Sequence, residues 1–237
     1  MRAMILAAGR GERMRPLTDE LPKPLLCVGG KPLIVHHIEK LRAAGICELV
    51  INHAWLGDKL EAALGDGSRF GVQIFWSAEV EGGLETAGGI RQALPLLGDA
   101  PFLVINGDIW LDCDYDGFVR QALGNDLAHL WLVDNPPQHP QGDFSLRQGR
   151  VLAQPALTFS GVALYQPQAF AEVPAGKQPL LPWFRRWIAA EQVSGSHLRA
   201  EWRDIGTPER LLLLDQRLRT RQLSGGSASE QGVADEL

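Results

Sequence analysis

The segment Leu6-Ala7-Ala8-Gly9-Arg10-Gly11-Glu12-Arg13-Met14-Arg15-Pro16-Leu17-Thr18 leaves a short apolar run and turns at once into glycine and arginine, closing on Pro22-Lys23-Pro24. An apolar run of this length reads as a buried strand. The glycines after it let backbone N–H groups approach an anion with no side chain in the way. Six Lys/Arg against three Asp/Glu fall within residues 1–31 of a chain whose net charge is −5. Arginine grips phosphate through two N–H groups at once and lysine supplies a compact charge, so a phosphate-bearing ligand is expected here. The dinucleotide fingerprint GxGxxG would need glycine where Met14 stands, and no GxxxxGK[ST] is present. Gly9 and Gly11 alone would fit an ordinary surface turn; the string through Lys23 is far more specific.

Outward from this loop, short apolar runs (Met4–Ala8, Leu49–Asn52, Val72–Trp76, Phe102–Ile105, Leu130–Val133) alternate with helix-like stretches (Pro32–Ala44, Leu56–Leu64, Thr86–Leu97, Tyr115–Leu123). Strand-then-helix repetition predicts an α/β fold with a mostly parallel central sheet covered on both faces. Ligands of such sheets bind beyond the carboxyl ends of the strands, so the loops after Ala8, Trp76 and Ile105 are the ones to watch. From about Asn135 the texture changes. Pro136, Pro137 and Pro140 stiffen a connection into a strand at Thr158–Tyr165, a helix at Leu180–Ala190, a strand at His197–Arg203 and a last helix at Pro208–Leu223. The expected organisation is one domain over residues 1–223, with halves at about 1–135 and 136–223, the second forming a small cap. Residues 224–237 lack an aromatic and read as a disordered tail.

The 237 residues are 45% hydrophobic and 22% charged, ordinary for a soluble domain, and the acidic balance excludes a general nucleic-acid binder. Three dispersed cysteines make no disulfide framework, and the six histidines have no metal-binding spacing and are taken as structural. No run approaches the ~18 apolar residues of a membrane helix, and Met4–Ala8 is too short for a signal-peptide core. A cytoplasmic protein with no membrane and no obligate protein partner is expected.

Two further segments carry chemistry. In Phe102-Leu103-Val104-Ile105-Asn106-Gly107-Asp108 a carboxylate follows a buried strand. On spacing alone it is equally a hard-cation ligand or a turn residue. Glu81-Gly82-Gly83-Leu84-Glu85-Thr86-Ala87-Gly88-Gly89 reads as a glycine-rich strand-to-helix turn.

The string from Leu6 to Pro24 resembles the signature of the sugar-1-phosphate nucleotidyltransferases, and the resemblance runs from Met1 to about Leu223. It implies a Rossmann-like, three-layer α/β/α sandwich whose cap binds a sugar. It implies that Gly11, Glu12 and Arg13 cradle a nucleoside triphosphate, with Arg13 stabilising the departing pyrophosphate and Lys23 holding the two reacting phosphates together. Asp108, and Asp204 of Asp204-Ile205-Gly206-Thr207, would bind Mg²⁺. Gly83 would touch the base in a segment like the family's LGTAG, where Glu85 replaces a glycine. Asn106, Asp143 and Ser160 would hold the sugar. The family's usual Glu-Lys-Pro is missing, with Val151–Pro155 in its place. His139–Phe144, Thr158–Gly161 and Asp204–Leu211 most resemble the branch using UTP and N-acetylmuramate 1-phosphate in peptidoglycan recycling. Arg147, Lys177 and Arg203 are candidates for reading that sugar's lactyl carboxylate. A mannose-1-phosphate guanylyltransferase-like enzyme and a non-catalytic nucleotide-sugar sensor are the alternatives.

Overall fold

The computed structural model describes residues 1–226. Strands are β1 (Ala3–Leu6), β2 (Cys27–Val28), β3 (Lys31–Pro32), β4 (Glu48–His53), β5 (Gln73–Ala78), β6 (Phe102–Asn106), β7 (Ile109–Asp112), β8 (Ala128–Val133), β9 (Phe144–Arg147), β10 (Arg150–Tyr165), β11 (Val193–His197) and β12 (Glu201–Asp204). Helices are α1 (Leu17–Glu20), α2 (Leu33–Ala43), α3 (Gly57–Leu64), α4 (Glu85–Leu97), α5 (Asp116–Val119), α6 (Leu181–Ala189) and α7 (Pro208–Gly226). The last helix thus runs three residues into the expected tail, and 227–237 lie outside the described residues.

The main sheet has the order β11-β8-β10-β6-β1-β4-β5, with β9 attached to β10. β5, β4, β1 and β6 are mutually parallel, as are β8 and β11. β10 is antiparallel to its partners, so the sheet is mixed but mostly parallel, with helices on both faces, as expected. Alternation along the strands explains the two covering layers. Ile5, Ile51 and Ile105 face one way onto α2 and α3 through Ile34, Ile38 and Leu60. Met4, Val50 and Val104 face the other way onto α4 and α6 through Ile90, Phe184 and Trp187. Strands buried on both faces need continuous apolar runs, and β1, β4, β6 and β8 read so in the sequence.

β10 builds the cap. The two-residue turn Gln148-Gly149, with φ of 50° and 76°, joins it to β9 as a primed hairpin turn. Its pairing with β8 shifts register between Phe159 and Ala163, a bulge at Ser160-Gly161 that brings Gly161 against the Asn106 side chain.

Three expectations need correction. His197–Arg203 is not one strand: β11 ends at His197 in the main sheet, and β12 leaves to pair with β7 in a separate two-stranded ribbon. Tyr115–Leu123 is not a full helix. Only Asp116–Val119 is helical; Tyr115, just before it, is buried with its hydroxyl 2.7 Å from His37 Nδ1. The strand expected at Thr158–Tyr165 begins earlier, at Arg150.

Two buried imidazoles tie stability to pH. His37 Nε2 donates to the Ile109 carbonyl (2.9 Å), so its Nδ1 accepts from Tyr115. His129 lies between the Ser194 and Ser196 hydroxyls. Burial pushes both rings down to about 4. The unfolded chain takes up these protons near pH 6.5 and the folded one near 4. Stability is therefore complete above the unfolded value and falls as pH drops through this window, by up to roughly 3 kcal/mol per ring. Denaturant melts at pH 7, 5.5 and 4.5 should show the decline, with a shallower slope in His129→Asn. An equal slope in that variant would place the proton uptake elsewhere.

Candidate active site

The connections leaving β1, β5 and β6 converge on a cavity of about 860 Å³ at the carboxyl ends of the strands. Two of its walls come from the first connection. Gly11 has φ +67°, and a methyl group there would lie 3.0 Å from Thr18 Cγ2, so glycine suits both the backbone and the space. The Gly11 carbonyl accepts from the Met14 N–H (2.8 Å) and the Thr18 hydroxyl (2.8 Å). Met14 is fully buried in the small cluster with Leu26, Val28 and Ile205, while its neighbour Arg13 is left exposed at the cavity lip. Trp55 donates its indole N–H to the Thr18 carbonyl (2.9 Å), and the Arg10 guanidinium stacks 4.5 Å above its ring.

Lys23 stands on a 3₁₀ turn, Lys23–Leu25, and its side chain is 9% exposed. Nζ donates to Asp108 Oδ2 at 2.7 Å. Asp108 reaches this place because Gly107 crosses the end of β1: its N–H donates to the Leu6 carbonyl (2.9 Å), and a methyl there would lie 2.7 Å from that oxygen. The buried ammonium and the half-buried carboxylate thus meet on the cavity wall.

The third wall is the segment after β5. Asn52, almost fully buried at the end of β4, accepts from the Ala7 N–H (2.9 Å) and donates to Glu79 Oε1 (2.6 Å). Glu79 Oε2 accepts the Leu84 N–H at 2.6 Å. This network fixes the Gly82-Gly83 turn. Neither Asn52 nor Glu79 was expected as a site residue; the available signal was a polar residue ending each apolar run. Glu85 has φ +58°, the left-handed conformation that glycine adopts freely. The chain therefore keeps the backbone path of a glycine at this position and carries a side chain there. Lys177 Nζ lies 3.9 Å from Glu85 Oε1 and also lines the cavity.

Asp204 closes the remaining side. It sits opposite Ile109 in the β7–β12 ribbon, and the Ile205 N–H donates to the Asp108 carbonyl (2.9 Å). Its Oδ2 accepts from Arg210 Nη1 at 2.6 Å. A methyl group built on Gly206 would lie 3.0 Å from Arg210 Nη1, 3.2 Å from Asp204 Oδ2 and 3.3 Å from Arg13 Nη1, so these three side chains share one point.

Of the residues singled out in the sequence, Gly11, Glu12, Arg13, Lys23, Gly83, Asn106 and Asp108 all line this cavity, with Asp204 at its edge. Ser160 and Asp143 do not line it. Ser160 is fully buried and its carbonyl accepts the Trp202 indole N–H (2.7 Å). Asp143 accepts the Phe159 N–H (2.8 Å) and faces His139 (3.0 Å).

Among the described residues no three His, Cys, Asp or Glu side chains gather as a ready-made metal cage. Mg²⁺ bound with substrate phosphates takes only one or two protein carboxylates and fills its octahedron with phosphate and water oxygens. Asp108, just before β7, and Asp204, at the end of β12, are the carboxylates available for such a role; Lys23 Nζ bonds the first and Arg210 Nη1 the second.

Comparison with known proteins bears on this geometry. Residues 2–144 match the nucleotidyl transferase family model. The chain is 54% identical to an N-acetylmuramate alpha-1-phosphate uridylyltransferase of Neisseria meningitidis, over 89% of this chain and 95% of that one. It is 35% identical to a protein of the same name from Caulobacter vibrioides, over 91% and 96%. Among solved structures, a Bacillus anthracis protein described as a glucose-1-phosphate thymidylyltransferase superposes with a TM-score of 0.80 at 22% identity, covering 92% of this chain and 96% of that one. The HddC protein of Yersinia pseudotuberculosis superposes with a TM-score of 0.75 at 22% identity, covering 91% and 98%.

Proposed function

The chain belongs to the nucleotidyl transferase family, and from that premise we propose that it transfers a uridylyl group from UTP to N-acetylmuramate 1-phosphate. The products are UDP-N-acetylmuramate and pyrophosphate, and the reaction serves peptidoglycan recycling. The observation that carries the reading is the 54% identity to the meningococcal uridylyltransferase along nearly the whole of both chains. The cavity contributes a physical rationale, since its cations cluster where two polyanions must meet.

An oxygen of the sugar phosphate attacks the α-phosphorus of UTP, the bond from that phosphorus to the β-phosphate oxygen breaks, and pyrophosphate leaves with the electron pair. The attacking oxygen is already anionic, so no general base is required, and no histidine lines the cavity among the described residues. The protein's work is alignment and charge neutralisation. Arg13, exposed at the lip, neutralises the leaving pyrophosphate, while the backbone at Gly11 and Glu12 faces the β- and γ-phosphates. Lys23 Nζ sits between the α-phosphate and the incoming sugar phosphate. Asp108 and Asp204 would hold Mg²⁺, which supplies Lewis-acid stabilisation of the phosphate oxygens when bound. Gly83 lies along the uracil edge. Asn106 reaches the sugar directly, and Ser160 and Asp143 shape its side of the site through the bulge in β10. Because UTP and reduced thiols belong to the cytoplasm, that is the proposed compartment; among the described residues no helix is long and apolar enough to cross a membrane.

Pyrophosphate release measured over UTP, GTP, CTP and dTTP, each with muramate, glucosamine, glucose and mannose 1-phosphates, tests the reading. UTP with N-acetylmuramate 1-phosphate should give the highest kcat/KM. A higher value for GTP with mannose 1-phosphate would keep the chemistry and replace the substrates. Binding of a nucleotide sugar with no pyrophosphate from any pair would make the protein a sensor.

A further inference from the structure

The two carboxylates proposed to hold the cation are each already bonded to a cationic side chain. Lys23 Nζ donates to Asp108 Oδ2 at 2.7 Å, and Arg210 Nη1 donates to Asp204 Oδ2 at 2.6 Å. In both carboxylates the second oxygen, Oδ1, has no hydrogen-bond partner among the described residues. Without nucleotide, a free divalent ion therefore meets two carboxylates whose charge is already offset.

The Arg210 pair is set by the backbone around it. Arg210 stands in the first turn of α7, and helical side chains lean toward the N-terminus. That lean carries the guanidinium back over Gly206 to a residue six positions earlier. A methyl group on Gly206 would lie 3.0 Å from Arg210 Nη1, so glycine gives the pair its room. The Arg210 and Asp204 side chains are only 27% and 25% exposed, so water screens their attraction incompletely. Arg13 Nη1 comes within 3.3 Å of the same point, which puts a second guanidinium beside this carboxylate.

A triphosphate changes this balance, because its oxygens compete with the carboxylates for the same arginines and lysine. We infer that Arg210 is a positioning residue that stands in for the cation at Asp204 in the nucleotide-free protein. Free metal is thereby kept weakly bound, and the ion enters in company with the triphosphate. The inference rests on the proposed assignment of Asp108 and Asp204 to the metal.

The test uses Mn²⁺ as the probe, followed by water-proton relaxation, which separates protein-bound ion from free ion and from its UTP complex. The unaltered protein, Arg210→Met, Arg210→Lys and Asp204→Asn are titrated with and without UTP, and their melting temperatures are followed. Without UTP, Arg210→Met should bind Mn²⁺ about tenfold more tightly than the unaltered protein. That is the scale of removing one positive charge from beside a doubly charged ion, even at the dielectric of water. Arg210→Lys keeps the charge and should stay near the unaltered value. Adding Asp204→Asn to Arg210→Met should cancel the gain, and the tightening produced by UTP should shrink in Arg210→Met. Equal or weaker binding by folded Arg210→Met, with Asp204→Asn alone weakening binding in the presence of UTP, overturns the inference and leaves the metal assignment standing. Asp204→Asn that binds Mn²⁺ with UTP as well as the unaltered protein does overturns both.

Discussion

Methionine in place of Lys23 is expected to slow turnover by two or more orders of magnitude, while the folded protein keeps nearly its original melting temperature. Methionine preserves most of the buried aliphatic stem and removes only the ammonium. That ammonium lies 2.7 Å from Asp108 Oδ2 in a wall facing the cavity. Its loss therefore acts twice: the reacting phosphates lose a positive neighbour, and the Asp108 carboxylate, no longer offset, repels them. Removing one preorganised charge-stabilising donor costs about a hundredfold to a thousandfold in comparable sites. Steady-state rates of pyrophosphate release, beside thermal melts of the same preparation, check both halves. Near-normal turnover would take Lys23 out of the mechanism.

Asparagine at Asp108 or at Asp204 should have the larger effect, lowering turnover by roughly a thousandfold or more, since metal stabilisation of transition-state charge is worth several kcal/mol. The amide keeps the shape of the carboxylate and removes the charge a hard cation needs. Asp204→Asn also releases Arg210, whose Nη1 bonds that carboxylate. The melting temperature must therefore be followed to separate lost chemistry from lost packing. Activity should vanish in excess EDTA and return with Mg²⁺. Full activity under EDTA, or in either asparagine variant, would refute the metal assignment.

Much of this architecture was legible because it depends on local pattern. The residues Leu49–Ile51 and Phe102–Ile105 are apolar throughout, and only a strand covered on both faces needs that. The glycine–arginine loop was legible because anion binding needs backbone N–H groups and cations close together in the chain. The ribbon of β7 and β12 was not, since its pairing joins distant segments and each strand is four residues long. Glu85 shows the opposite limit. The sequence departs from glycine there, yet the backbone keeps the left-handed turn, because the bonds from Asn52 through Glu79 to Leu84 hold the segment from outside.

The β7–β12 ribbon sets a condition on when the protein becomes competent. A ribosome delivers the parallel strands, the glycine–arginine loop and Lys23 well before it makes Glu201. On the proposed assignment, a nascent or truncated chain of that length carries Asp108 without Asp204, so it has half of the cation's protein ligands. Only when β12 docks beside Ile109 and α7 closes over Met14 and Val28 does the Asp204 segment come to lie against the Asp108 backbone. On that assignment a chain cut before Glu201 is expected to release no pyrophosphate, because the ribbon that sets Asp204 opposite Ile109 cannot form.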